Sequence, residues 1–313
     1  MDKKFIVSSS PHIRGPYTTQ GIMKDVLIAL TPAMIVAVYF LGIRSLLVTL
    51  VTVASCIFFE AIWQKINKQP MSVGDLSAVV TGVLLAFNLP AYIPIYIPII
   101  GAFVAIIVAK QFFGGIGQNF INPALGARAV LLASFPVAMT DFSIPGMDAI
   151  SGATPIELMR AKEIAPTLMD VFIGNIGGSI GEISALALLL GLAYLVFRKV
   201  ITLRIPAVYV GTVFILTYIL GTISHITINP LYEVMAGGLF LGAFFMATDY
   251  STSPATPKGE IIFALGCGII TTVIRLYGGY PEGVSYAILI MNLTVPLIDK
   301  YTVPRPFGAV KKA

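Results

Sequence analysis

Apolar residues gather along this chain in repeated runs of about 17–22, near residues 24–42, 45–64, 74–89, 93–109, 120–137, 183–197, 204–223, 230–247, 260–276 and 283–299. An α-helix needs about 20 such residues to cross roughly 30 Å of hydrocarbon. It also satisfies its own backbone hydrogen bonds in lipid. The pattern predicts an all-α polytopic membrane protein of about ten transmembrane helices.

Two echoes within the pattern predict how those helices are organised. Phe112-Phe-Gly-Gly115 follows one span as Leu276-Tyr-Gly-Gly279 follows another, and Thr81–Phe87 (TGVLLAF) resembles Gly237–Ala243 (GGLFLGA). Both pairs keep the same order, and five spans separate the equivalents, so the copies are expected upside down relative to each other. Inverted five-helix repeats with broken helices are a common transporter architecture. The expected breaks are Phe87-Asn-Leu-Pro90 and Ala247–Pro254. The expected units are a first membrane half (1–137), a loop (138–182) and a second membrane half (183–313).

Composition strengthens this reading: 57% of residues are hydrophobic and 11% charged, against roughly 45–50% and about 25% in soluble domains. The first 23 residues lack the apolar core of a signal peptide, so the N-terminus is expected to be retained. The net charge of +5 does not point to nucleic acid, because basic residues mark the cytoplasmic loops of membrane proteins. With a cytoplasmic N-terminus, Lys24, Lys65, Lys110, Arg198, Arg204, Lys258 and Lys300 fall inside with both basic termini. Only Arg44, Arg160, Lys162 and Arg275 fall outside. The topology expected is both termini cytoplasmic and the 138–182 loop extracytoplasmic. Cys56 and Cys267 lie in apolar runs and read as small buried hydrophobes. They are too few for an iron–sulfur cluster, so electron carriers of that kind must come from partners.

The loop carries the chemistry. Asp148-Ala-Ile-Ser-Gly-Ala-Thr154 has turn composition, yet Asp-x-x-Ser-Gly-Ala-Thr resembles the motif at which a separate flavin transferase joins FMN phosphate to a threonine hydroxyl. A threonine hydroxyl is a weak nucleophile without an external base or metal, so the activating groups belong to the transferase. Within the motif Ser151 precedes Gly152 and Ala153, which leave a backbone thin enough to enter that enzyme's cleft, and Asp148 is placed to bind it or its metal. Thr154 would tether the redox carrier rather than catalyse.

Further segments extend the resemblance to the whole chain: Ser9–Arg14 (SSPHIR), Gly114–Arg128 (GGIGQNFINPALGAR) and Met246–Pro254 (MATDYSTSP). The chain resembles the D subunits of Rnf complexes, ferredoxin:NAD oxidoreductases that couple electron transfer to sodium or proton export. It is also similar to the B subunit of the sodium-pumping NADH:quinone reductase, which has a longer N-terminal part. The resemblance implies covalent FMN on Thr154 and a second, noncovalent flavin such as riboflavin among the spans. It implies the other complex subunits as partners, and the cytoplasmic (inner) membrane of a bacterium or archaeon as the location.

Acids at membrane depth tend to mark ion paths. Asp249, with Thr248, Ser251 and Thr252 around it, offers oxygens suited to a hard cation, and the alternative is an interfacial acid paired with Lys258. Glu60 is a weaker candidate for the ion path, one turn from Lys65 and able to pair with it. Arg128 interrupts an apolar run and suits either a flavin contact or a structural pair. Gly114, Gly115, Gly117, Gly278 and Gly279 read as tight turns, since no strand–loop–helix context supports a dinucleotide site. His12 and His225 are too few for a metal centre. The competing function is a small-solute channel or secondary transporter without a redox role, which inverted repeats alone would also support.

Overall fold

The computed structural model describes residues 18–142, 156, 166–223, 229–278 and 283–304. Among these residues the fold is helical, with no β-strand and one isolated bridge. The helices are α1 (Thr19–Leu41), α2 (Ile43–Ile66), α3 (Ser77–Phe87), α4 (Tyr96–Phe103, running into a π turn at Val104–Val108), α5 (Pro123–Ser134) and the short α6 (Pro136–Met139). The chain continues through α7 (Leu168–Ile173), α8 (Ala185–Phe197), α9 (Arg204–Ile223), α10 (Pro230–Met235), α11 (Leu239–Leu241, running into a π turn at Gly242–Met246), α12 (Pro257–Tyr277) and α13 (Val284–Thr302).

Among the described residues, five stretches are long and apolar enough to cross a membrane: Thr19–Leu41, Ile43–Ile66, Tyr96–Phe113, Arg204–Thr222 and Pro257–Tyr277. Other expected spans are shorter or broken. The run at 74–89 forms an eleven-residue helix, and the run at 230–247 divides at Ala236-Gly-Gly238. Local chemistry sets these limits. Asn122 caps α5 by accepting from the amides of Ala124 and Leu125, with Pro123 in the first turn. Thr256 and Pro257 start α12 in the same way, using a cap that accepts orphan amides and a proline that has none to lose. Gly42 alone turns α1 into α2 at φ +83°, a conformation that L side chains rarely adopt.

Contacts between helix ends define two faces. Asp25 at the start of α1 accepts from Tyr194 and Arg198 at the end of α8. Arg204 pairs with Glu260, and Thr256 donates to Thr302. The N-terminal part of α1, the starts of α9 and α12, and the ends of α8 and α13 therefore share one face, here the cleft face, which the start of α3 and the ends of α2 and α4 join where Lys110 reaches Glu60 and Ser77. Gly42 lies toward the opposite face, where Arg44 stands 5.3 Å over the Tyr92 ring.

Helices distant in sequence pack together, α1 on α8 and α5 on α13. At the first contact, a Cβ on Gly191 of α8 would collide with the Ala29 carbonyl oxygen of α1. Only glycine permits that approach.

Broken helices at membrane depth expose backbone groups that cost several kcal/mol each if left unpaired. After α3, the Ile180 amide donates to Leu89 O at 3.0 Å and the Gly181 amide to Phe87 O at 2.9 Å. Gly181 is required there, because a Cβ would collide with that of Phe87. The break between α10 and α11 takes a different solution. Gly237 and Gly238 both adopt φ +68°, and the Arg275 guanidinium donates to the carbonyls of Ala236 and Gly237 at 3.2 and 2.8 Å.

Candidate functional site

A cleft of about 100 Å³ opens between the halves at the cleft face. Ile22, Met23, Leu195 and Phe245 contribute apolar walls, while Ser77, Lys110, Asn119, Asn122, Thr248, Asp249 and Ser251 contribute polar atoms. Both halves supply polar groups, so the site exists only once they pack together.

Asp249 sits in the turn following the π turn that ends α11. One carboxylate oxygen, Oδ2, accepts from Ser251 Oγ at 2.9 Å and from Thr252 Oγ1 at 3.1 Å. Thr248 Oγ1 instead donates to Phe244 O at 2.7 Å. Of the three hydroxyls expected around Asp249, those of Ser251 and Thr252 turn to its carboxylate and that of Thr248 turns back to its own helix. Asp249 makes no ion pair among the described residues, and Lys258 is exposed, so the pairing weighed for these two does not form. A partly buried carboxylate facing a polar cleft can bind a cation electrostatically. The hydroxyls turned toward that carboxylate hold its orientation.

Glu60 corrects another expectation. Its partner is Lys110, not the exposed Lys65: Lys110 Nζ lies 2.8 Å from Glu60 Oε1 and also donates to Ser77 Oγ at 2.6 Å. Gln111 Nε2 also donates to the same carboxylate oxygen at 2.9 Å. The end of α4 folds over α2 and brings the lysine inward, whereas Lys65 continues α2 toward solvent. Glu60 Oε2 is buried with no hydrogen-bond partner among the described residues.

Arg128 also forms part of a buried network. Its Nη1 donates to Asn88 Oδ1 at 2.8 Å and to Ser285 Oγ at 3.0 Å. Asn88 ends α3, while Ser285 begins α13, so one guanidinium ties the first broken helix to the second half. Asn122 Nδ2 reaches Met246 O at 3.3 Å. With its side-chain amide oriented to satisfy both ends, Asn292 accepts from the Asn122 amide at 3.0 Å and donates to Thr252 O at 3.1 Å.

Sequence reasoning missed several of these participants. Glu182 is buried, and its Oε1 accepts from the Ser179 amide at 2.7 Å. Glu233 is buried and paired with Arg275 at 3.2 Å. An acid within a glycine-rich apolar stretch was the available signal for Glu182. For Glu233 there was only its position just before a Gly-Gly break. The glycine turns are seen at Gly114, Gly115 and Gly117, all with positive φ, whereas Gly278 is extended. Cys56 and Cys267 are free and buried as expected.

The attachment motif, Asp148, Ser151, Gly152, Ala153 and Thr154, lies outside the described residues, as do Gly279, His12 and His225. Ile156, two residues beyond Thr154, is described: it is fully buried, and its Cδ1 is 2.6 Å from where a Cβ on Gly237 would stand.

A family model described as the NQR2, RnfD, RnfE family matches residues 6–308 of this chain. The chain is 52% identical over 310 residues to the D subunit of the Na(+)-translocating ferredoxin:NAD(+) oxidoreductase complex of Acetobacterium woodii, covering 97% of this chain and 96% of that protein. It is 46% identical over 318 residues to the D subunit of the proton-translocating ferredoxin:NAD(+) oxidoreductase complex of Clostridium ljungdahlii, covering 97% and 96%. The D subunit of an ion-translocating oxidoreductase complex of Halorhodospira halophila is 36% identical over 345 residues, covering 97% and 95%.

Proposed function

The chain belongs to the NQR2, RnfD, RnfE family, and from that membership we infer that it is the D-type membrane subunit of an ion-translocating ferredoxin:NAD oxidoreductase. In this reading it carries FMN on Thr154 and forms part of the ion path through Asp249. The observation that carries the reading is near full-length similarity to two such subunits, combined with a complete Asp-x-x-Ser-Gly-Ala-Thr motif at Asp148–Thr154. Bound FMN supplies a group that accepts and releases electrons. A second, noncovalent flavin such as riboflavin belongs to the same proposal, with a separate flavin transferase and the other complex subunits as partners.

The chain's own residues have defined tasks in this proposal. Asp249 attracts the cation into the cleft, with Ser251 and Thr252 fixing its carboxylate. Lys110, seated on Glu60 and Ser77 at the cleft wall, sets a positive boundary beside it. The described basic residues Lys24, Lys110, Arg198, Arg204, Lys258 and Lys300 belong to elements that end or begin at the cleft face. By the positive-inside bias the cleft face is cytoplasmic, with the Thr154 loop on the other side. Coupling requires that ion binding and electron state differ in energy together, by about 1.4 kcal/mol for each tenfold change in ion affinity.

The test is in-gel flavin fluorescence of the denatured chain, expressed with its transferase and partners. Fluorescence is expected in the parent and absent in Thr154→Ala, with ferredoxin-dependent NAD reduction lost as well. Fluorescence retained by Thr154→Ala overturns the attachment site. A chain that never carries flavin and yet moves solutes supports the channel or secondary-transporter reading.

A further inference from the structure

Arg275, near the end of α12, is buried to 1% exposure, as is its partner Glu233. Its Nη1 donates to Glu233 O and lies 3.2 Å from Glu233 Oε2. Its Nη2 donates to Ala236 O at 3.2 Å and Gly237 O at 2.8 Å. Among the described residues, four oxygens, three from main-chain carbonyls and one from a carboxylate, therefore converge on a single positive group. The carbonyls are available because the chain is unwound between α10 and α11, where Gly237 and Gly238 both take φ +68°. A Cβ on Gly237 would meet Arg275 Nη2 at 2.8 Å, so the glycine also makes room for the guanidinium.

Hard cations are held by just such oxygens, carboxylate and main-chain carbonyl. In transporters the unwound carbonyls of broken helices are a recurring ligand source for sodium. The Glu233 carboxylate brings a formal charge of −1, which suits a monovalent cation. The guanidinium supplies that charge from within the chain. The cleft face has a parallel arrangement, where the Lys110 ammonium rests on Glu60 Oε1 and Ser77 Oγ. Lys110 ends the fourth helix of the first half and Arg275 lies near the end of the fourth helix of the second, at opposite faces. The Lys110 seat borders an open cleft, whereas the Arg275 seat is closed over.

We propose that the carbonyl oxygens of Glu233, Ala236 and Gly237, with the Glu233 carboxylate, form an alkali-cation site at the face opposite the cleft, filled by the Arg275 guanidinium in the closed state. Arg275 competes with the cation for one set of oxygens. Its departure opens the site, and its return expels the ion. The site's place in the ion route rests on the proposed function, but its capacity to bind sodium does not.

The test uses the intact membrane complex and sodium alone, with N-methylglucamine as the control cation. In Arg275→Met, which keeps bulk and removes charge, sodium is expected to protect against thermal unfolding at concentrations at least tenfold below those needed by the unsubstituted complex. Arg275→Met combined with Glu233→Gln is expected to lose that gain. No gain in Arg275→Met, or a gain that survives Glu233→Gln, overturns the site. Should Arg275→Met fail to accumulate, Arg275→Lys carries the test. Its shorter reach weakens competition, so a smaller Glu233-dependent gain is expected, and its absence counts against the site. Ferredoxin-driven ion transport is measured separately on the unsubstituted complex. Transport with no Glu233-dependent sodium gain removes the site and leaves the proposed function, while the gain without transport does the reverse.

Discussion

Lys110 Nζ lies 2.8 Å from Glu60 Oε1 across a separation of fifty residues, and both side chains are almost wholly buried. Taking two charges out of water is expensive, and removing one partner leaves the other uncompensated, at a cost of about 3–5 kcal/mol. Lys110→Met should therefore destabilise the chain by roughly that amount, read as a lowered thermal midpoint in detergent. Lys110→Met with Glu60→Gln should recover most of the loss, because no buried charge is then left alone. A double variant no better than the single one would show that the pair is not the source of the cost.

Asp249 faces the same cleft without a cationic partner among the described residues. Replacing it with alanine removes the formal negative charge while leaving the fold around Thr248 and Ser251 intact. Asp249→Ala is expected to raise the sodium concentration for half-maximal turnover by about tenfold or more, equivalent to roughly 1.4 kcal/mol. Covalent flavin should remain at the parental level. An unchanged sodium dependence removes Asp249 from the path.

The helices α1 and α8 join the two halves at a point where only a glycine fits. Gly191→Ala would drive its methyl into the Ala29 carbonyl oxygen, a backbone atom that cannot turn away. Overpacking of this kind costs about 1–3 kcal/mol. The expected result is lower thermal stability, with Gly211→Ala, where a Cβ meets nothing within 4 Å, as the neutral control.

Helix α7 begins with a reciprocal cap: Asp170 N donates to Thr167 Oγ1, while Thr167 N and Oγ1 donate to Asp170 Oδ2. The Thr167 hydrogen bonds hold the Asp170 carboxyl below the usual aspartate pKa. A depressed native pKa means the cap's contribution is complete above the ordinary value of about 3.9 and fades as pH falls through the lower native one. Hydrogen exchange at residues 168–173 should show protection at about pH 6 that Thr167→Val weakens. The same segment should lose protection in the parent only when the pH falls below the usual carboxylate range.

That this is a helical membrane protein could be read from its residues alone, because apolar run length against bilayer thickness is a local quantity. The sequence also supplied the Asp-x-x-Ser-Gly-Ala-Thr stretch and the family, and it singled out Asp249 with its hydroxyl neighbours, since all of these lie within short contiguous stretches. Other features were decided only by tertiary structure. Glu60 has Lys65 close by in sequence and pairs instead with Lys110, because α4 returns over α2. Arg128 bridges Asn88 and Ser285, which are distant from it and from each other along the chain. Glu233 and Arg275 acquire meaning once Gly237 and Gly238 turn the carbonyls of an unwound segment onto the guanidinium. Hydrophobic pattern fixes which segments enter lipid, through a free energy additive along the chain. Which buried charges meet is fixed by the packing of whole helices, where each polar group must find its partner within about 3 Å.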